Sequence, residues 1–581
     1  MSGLNLLVFR GDRQRASGKE LKAALTAQLE QLRNLGSQRE LVRALLLAGE
    51  FECGVADTHS EAVGPCERLT DHIAELLLAS DGPASSNPDF QKRDFDSLLF
   101  NPANSNSLIN VARALPAFEQ LSISTPEGFA YYALHPLAYA DVIRQIPACE
   151  SLLIVGIRSI GTTLSAVAAA AARARGIVST RITVRPQGHP YNRIAEFTAE
   201  QMATVRHAVS CGASFAVVDE GPGLSGSSFL AVAEALERAG APVEKITLIS
   251  SHAPNLDALC AEDASRRWQR LRCIPVNGEA RRPAEAVDFI GGGLWRSRVF
   301  ENEREWPAVW TSLERLKYLS SSVHVERRVF KFAGLGHYGD AVLQREKKVA
   351  AAGFGPMPRE EGDGFISFPW IPSSQISYRS MSAPQRSYSS CLSTEVLARL
   401  AHYCAFRVRA FEGDLSDIDA LQQMADHNLR ELGWDLQVKL RLERPVIADG
   451  RMQPHEWLLS KEGKLLKADS GGHGDDHFFP GPTDIAWDLA GAIVEWQMND
   501  QQTTEFLNLY HRASGDDAVP RIDGFIRAYT VFRLAYWLMA ANAMNGSDEQ
   551  PRLKRAASFY RTTLTKLQSR VPASSLSAVT F

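Results

Sequence analysis

Between residues 150 and 250 the chain alternates short apolar runs with helix-forming sequence, and nothing else in it constrains the fold as much. SLLIVGI runs into TTLSAVAAAAARARG, and RITVRP, SFAVVDE and KITLISS follow as further short runs. Strands buried on both faces lose the polar alternation of a half-exposed sheet, so this pattern predicts parallel strands covered by helices on both sides. Ligands of such sheets gather beyond the carboxyl ends of the strands. The segments starting at Gly156 and Asp219 lie at that edge.

The 581 residues exceed what one core can organise. Residues 1–82 read as a helical N-terminal region. Leu21, Leu25, Leu29 and Leu32 make one apolar face, Gly36 stops the helix, and Ser37-Gln38-Arg39-Glu40 is a capping-box signature for the next. Residues 83–109, rich in Ser, Asn and Pro, read as a linker. Residues 110–300 hold the alternating α/β pattern, and 320–581 form a third, mostly helical region opened by strand-like sequence. The fold class is α/β and multi-domain: a doubly wound parallel sheet followed by an α+β domain. The net charge of −4 excludes bulk electrostatic binding of nucleic acid. No apolar run approaches the roughly 20 residues needed to span a bilayer, and no signal pattern opens the chain. Eight scattered cysteines without a CxxC pair predict reduced thiols and a cytoplasmic location.

VVDEGPGLSGSSF (Val217–Phe229) joins a strand end to two acids, a glycine-rich turn and a helix start. Gly221, Gly223 and Gly226 permit tight backbone, Ser225, Ser227 and Ser228 add hydroxyls, and the following helix directs its free N–H groups to the same point. That is an anion site. Asp219 and Glu220 beside it would repel a phosphate unless they bind another part of the ligand, and a vicinal diol meets that requirement. VGIRSIGTTLS (Val155–Ser165) is a second loop of the same kind, and TVRPQGHPYNR carries Arg185 within a basic stretch.

Together these segments resemble the type I phosphoribosyltransferases over about 110–300. The resemblance implies that Asp219 and Glu220 hold the ribose, and that Gly223, Ser225, Gly226, Ser227 and Ser228 hold the 5-phosphate. It places Arg158, Ser159, Gly161 and Thr162 on the pyrophosphate, with Arg185 in a loop that closes over it. Asp219, Glu220 and Arg158 are then the expected catalytic residues. The acid-to-glycine spacing is one residue longer than the family form, with Pro222 inside.

In the last third, RRVFKF holds Lys331, and Glu346 follows fifteen residues on in a helical stretch. Much further along comes QPHEWLLSKEGKLLKADSGGHGDDHFFPGPTDIAWDLAGA. This layout resembles the aminoglycoside phosphotransferase and choline kinase group over about 320–560. The resemblance implies a nucleotide held by Lys331 paired to Glu346, a metal held by Asp469 and Glu456, and Asp488 buried beneath the catalytic loop. Where the family carries His-Gly-Asp and then Asn, this chain offers Arg451 near the base position, His455-Glu456 near the ligand position, and Asp449 out of register. Lacking that Asp, phosphoryl transfer loses its usual base.

Phosphoribosyl transfer between phosphoribosyl pyrophosphate and a base-like acceptor, with Mg²⁺, is the main functional reading. ATP is a candidate ligand of the kinase-like domain, and a homodimer is a candidate assembly. Two alternatives stand beside it: a non-catalytic nucleotide-sensing regulator, and a small-molecule kinase with the front half as its specificity module.

Overall fold

The apolar runs form one sheet. In the computed structural model, which describes residues 4–11, 13–35, 37–81, 107–223, 225–276, 281–321, 326–371, 392–413 and 418–569, five strands run parallel in the spatial order β4-β3-β7-β8-β9. They are β3 (Ser151–Ile157), β4 (Val178–Val184), β7 (Ser214–Val218), β8 (Ile246–Ser250) and β9 (Arg272–Pro275). Alternate residues of β3 and β7 serve two cores. Leu152, Ile154, Ala216 and Val218 face one cluster, while Leu153, Val155, Phe215 and Val217 face the other. Both faces are therefore covered, which explains why SLLIVGI carries no polar alternation. The first strand of this sheet lies between the second and third, so the chain leaves in opposite directions at β3 and β7. A crevice opens at such a switch point.

Three N-terminal helices cover one face: α1 (Gly18–Leu35), α2 (Gln38–Thr58) and α3 (Val63–Ser80). Leu25, Leu29 and Leu32 of α1 are buried in the same cluster as Ile154 and the apolar side of α4 (Ile160–Ala174). Ser37 caps α2 through the Glu40 N–H. The reciprocal half of the expected box is missing, because the Glu40 carboxylate accepts from Gln28 and pairs with Arg43. Residues 83–106 of the expected linker lie outside the described residues, and 107–109 open a short helix, Leu108–Ala114. Two pairs of strands complete this half: β1 (Arg13–Ala16) with β2 (Leu121–Ser124), and the hairpin β5 (Gln187–His189) with β6 (Asn192–Ile194).

A second, antiparallel sheet has the order β10-β11-β12-β14-β13. Its strands are β10 (Ala286–Phe289), β11 (Lys317–Ser320), β12 (Arg328–Phe332), β13 (Arg359–Gly362) and β14 (Phe365–Pro369). β10 lies within the stretch 110–300 yet pairs with β11, so the second sheet begins before residue 300. Phe330 and Phe332 of β12 join the cluster that holds the N-terminal helices. The remaining chain is helical around its own core, including α7 (Thr394–Ala410), α8 (Ala486–Glu495) and α9 (Val519–Ala543). The N-terminal segment crosses to that half. Leu7 N–H donates to Asn428, Phe9 bridges Phe478, and Arg10 donates to the carbonyls of Asp475 and Asp476. No described helix is long and apolar enough to cross a membrane.

Candidate functional site

Two polar centres are built from these sheets. The first lies at the switch point. Gly161 starts α4 so close to β7 that a Cβ there would fall 2.6 Å from the Val218 carbonyl oxygen and 3.4 Å from Asp219 Oδ1. Only glycine admits that approach, and it brings the loop after β3 onto the acid after β7. Ser159, in the same loop, has φ 107° and ψ −112°. A non-glycine residue held there costs on the order of 1–3 kcal/mol, a strain that collects at ligand sites. Thr162 is fully buried, and its Oγ1 has no partner among the described residues.

Desolvation pushes the Asp219 carboxyl up to about 7, against the N–H groups of Glu220 and Gly161 and the charges of Arg185 and Arg193. Glu220 is pushed up to about 8 by desolvation, then by Glu127 and Asp219, although it accepts the Gly128 N–H at 2.8 Å. The expected phosphate ligands are placed less openly. Ser225 Oγ and Ser227 Oγ both donate to the Pro190 carbonyl, at 2.8 and 2.6 Å, so the β5–β6 hairpin sits on this loop. Gly223 and Gly226 adopt φ of 58° and 71° and turn the chain into helix α5 (Ser227–Arg238), which also carries Ser228. Arg158 and Arg185, expected over pyrophosphate, are both committed to Asp57 at the end of α2. Arg158 donates besides to the carbonyls of Ala56 and Thr183. The physical reason is that Asp57 is almost fully buried and takes both cations.

The two raised carboxyls fix a pH dependence. Their folded values, about 7 and 8, lie above the usual 3.8 and 4.5, so their contribution is complete below the lower range. It is lost as pH rises through 7 and 8. Melting temperature should therefore fall between pH 6 and pH 9, and Asp219→Asn with Glu220→Gln should reduce that fall. Some slope remains, because burial and Glu52 hold Glu67 up at about 7 as well. An unchanged slope in the double variant refutes the assignment.

The second centre is a cavity of about 220 Å³ between the antiparallel sheet and the helical half. Lys331, from β12, projects into it and forms an ion pair with Asp469. Burial raises the Asp469 carboxyl, but Lys331 and His473 hold it well below the usual range. Burial lowers Lys331 against the pull of Asp469. The expected Lys331–Glu346 pair does not form. Glu346, on α6 (His337–Ala351), accepts instead from the Ser470 N–H at 3.2 Å, the Ser470 hydroxyl at 2.6 Å and the Gly471 N–H at 2.8 Å. Those three donors occupy both its oxygens, and Asp469 is the carboxylate left for the lysine.

Asp488, at the start of α8, accepts from the N–H groups of Asp449 and Gly450 at 2.8 and 2.9 Å. It thereby fixes the loop from which Arg451 and Glu456 line the cavity. Asp449 itself is fully buried, bonded to Tyr403 and 3.4 Å from Lys467, so it does not face a ligand. Burial pushes Glu456 up, but Lys467 and His455 bring it below the usual range. His455 and His477 are both lowered by burial to about 4 and are neutral at physiological pH. Within the HGDDH run, His473 lies 3.2 Å from Asp469 and 3.6 Å from Asp476, while Asp475 pairs with Arg345. Among the described residues no three His, Cys, Asp or Glu side chains converge as a metal-ligand group.

Sequence reasoning missed the rest of the lining. Trp295, Trp310, Trp370 and Trp537 come from four separate segments, and Lys317 and Arg533 join them. Arg533 stands alone in the apolar run TVFRLAYW, which is the one local signal that pointed here.

Neither a protein-family model nor a curated protein sequence matches the chain. Among solved structures it is similar to the choline kinase LicA from Streptococcus pneumoniae, at 14% identity over 42% of this chain and 90% of that one, with a TM-score of 0.28. It is also similar to a choline/ethanolamine kinase family protein from Mesorhizobium loti, at 15% identity, 45% and 87% coverage and a TM-score of 0.27. A third is the macrolide 2′-phosphotransferase MphH from Brachybacterium faecium, at 13% identity, 43% and 90% coverage and a TM-score of 0.30. Scores this low carry no argument about fold, and the geometry above stands independently of them.

Proposed function

We propose that the 220 Å³ cavity is a nucleotide site of a kinase-like domain, and that the protein senses a nucleoside triphosphate rather than turning it over rapidly. The observation that carries this reading is the buried Lys331–Asp469 pair facing Glu456 across one cavity. A strand lysine beside two carboxylates matches what a phosphate chain with Mg²⁺ requires, since Mg²⁺ is commonly held by one or two carboxylates plus substrate phosphates. The donor set fits: Asp469 and Glu456 would hold the ion, and Lys331 would meet a phosphate. Bound there, the ion neutralises phosphate charge.

Chemistry needs more than anchoring. A general base must be within hydrogen-bond reach of the acceptor hydroxyl. Arg451 stands where the base is expected, is always charged, and cannot accept a proton. Asp449, the nearest alternative in sequence, is spent on Tyr403 and Lys467. Calorimetry on the full chain should therefore find ATP binding that strengthens with Mg²⁺. Asp469→Ala should remove the metal dependence, and Lys331→Met should weaken binding about tenfold or more, as for a charged hydrogen bond of roughly 1.5–3 kcal/mol. No nucleotide binding would end this reading. Turnover at ordinary kinase rates, about 1–100 per second, would end its sensing half.

The front half supports a second reading, a sugar-phosphate site of the phosphoribosyltransferase kind. The strained Ser159, and the close approach of Gly161 to Asp219 at the switch point, favour it. Ser225 and Ser227 would have to exchange the Pro190 carbonyl for phosphate oxygens, so the hairpin moves on binding. Phosphoribosyl pyrophosphate with Mg²⁺ should raise the melting temperature, by RT ln(1+[L]/Kd) or about 2.7 kcal/mol at a hundredfold excess over Kd. Asp219→Asn with Glu220→Gln should abolish the rise, and a full rise in that variant would refute the ribose assignment.

A further inference from the structure

The cavity that holds Lys331 does not balance its charges evenly. Each lining carboxylate already has a partner on the protein. Asp469 pairs with Lys331, and Glu314 with Lys317 at 2.8 Å. Asp476 accepts the Phe478 N–H at 2.9 Å, and Glu456 lies 3.7 Å from Lys467. The arginines are served differently. Arg315, almost fully buried, donates to the carbonyls of Ala333 and Gly472, lies over the face of Tyr131 and acts on Asp476 through its charge. Arg451 lines the cavity, and its guanidinium makes no hydrogen bond or ion pair to any described residue, although Glu456 and Asp476 lie near enough to favour its charge. Arg533, the other lining arginine, lies 3.7 Å from Glu495 and over the rings of Tyr536 and Trp537.

We propose that Arg451 and Arg315 form an anion subsite beside the Lys331 end of the cavity, which takes a phosphate or carboxylate carried on a planar aromatic body. The Arg451 guanidinium is favoured by Glu456 and Asp476 but hydrogen-bonds neither, so its donors are open to an incoming anion. Its planar fork matches both phosphate and carboxylate in two-point contact. The aromatic body follows from the wall: Trp295, Trp310, Trp537 and Phe478 line the same space. Such rings bury large flat ligands. A cationic amine would meet Arg315 and Arg451 and is disfavoured. This subsite rests on the nucleotide reading only for what fills the other end of the cavity.

The test uses the full-length protein, with phenyl phosphate, benzoate and benzyltrimethylammonium as probes of one shape and different charge. Titration followed by tryptophan fluorescence should find at least one anion bound about tenfold or more tightly than the cation, a single strong charged contact. Whichever anion binds better identifies the natural group as phosphate or carboxylate. Arg451→Gln should weaken that anion about tenfold, while Lys331→Met, which weakens ATP about tenfold or more, should leave it within about threefold. Should circular dichroism show Arg451→Gln unfolded, Arg451→Lys replaces it, with a smaller loss because the two-point contact goes. Equal binding of the cation, no binding of either anion, or affinity untouched by an Arg451 substitution overturns the subsite. So does an equal loss in Lys331→Met, which would put the anion at the lysine. Anion binding that depends on Arg451 in a protein that binds no ATP sustains the subsite and removes the nucleotide reading.

Discussion

Replacing Arg181 with Met is expected to destabilise the protein by about 3–5 kcal/mol, the cost of stranding a buried charge. Arg181 leaves β4 beneath α2 and α3, donates to Glu52 at 2.6 and 3.1 Å, and reaches Asp71 at 2.8 Å. It also donates to the Glu67 carbonyl. The Arg181 side chain is 2% exposed and that of Glu52 is fully buried. Methionine fills similar volume but leaves Glu52 without its cation, next to Glu67, which burial and Glu52 already hold up at about 7. Glu67 loses the lowering pull of Arg181, so its carboxyl rises further and the loss grows as pH rises. Urea midpoints at pH 6 and pH 8.5 measure both the size and the direction. Adding Glu52→Gln should recover much of the loss, because the penalty belongs to the unpaired acid rather than to the absent pair. A loss below about 1 kcal/mol, the range of an exposed ion pair, would mean that this junction is solvated.

Arg181 also marks how far the sequence could be read. The run RITVRP is legible as a strand because apolar runs between helices have few other outcomes, and the sheet is parallel. Arg181 opens that run, and nothing local in it points to the residues it pairs with. Its partners Glu52 and Asp71 lie 129 and 110 positions away, and no local pattern encodes a pairing at that distance. Ser37 is a similar case in small: the cap on the Glu40 N–H is local and readable, while the pull of Gln28 on the Glu40 carboxylate is not. In the second half, the resemblance implies a Lys331–Glu346 pair, but three donors at Ser470 and Gly471 compete for the glutamate and win. The resemblance supplied Asp469, Glu456 and Arg451, and all three line one cavity. The tryptophan wall could not be foreseen, since Trp295 and Trp537 meet only through tertiary packing.

Asp488→Ala should have the other large effect, and it separates stability from ligand binding. Asp488 is fully buried and accepts the N–H groups of Asp449 and Gly450. Arg407 lies 3.7 Å away. Alanine leaves the buried Asp449 N–H without an acceptor, at a cost of about 1–3 kcal/mol, and frees the half-buried Gly450 N–H as well. Burial pushes the Asp488 carboxyl up to about 6, partly offset by Arg407. Its folded value lies above 3.8, so the wild type loses stability as pH rises through 6, and the alanine variant lacks that step. The functional effect comes from geometry: the two N–H bonds fix the turn that sets Arg451 and Glu456 on the cavity wall. If that turn positions the ligand groups, Asp488→Ala should weaken both ATP and phenyl phosphate at temperatures where circular dichroism reports a folded protein. Asp488→Asn retains one carbonyl acceptor and should recover part of the stability. Normal ligand affinity in folded Asp488→Ala would show that the turn holds its shape without the carboxylate, and the assignment of Asp488 as the support of this site would fail.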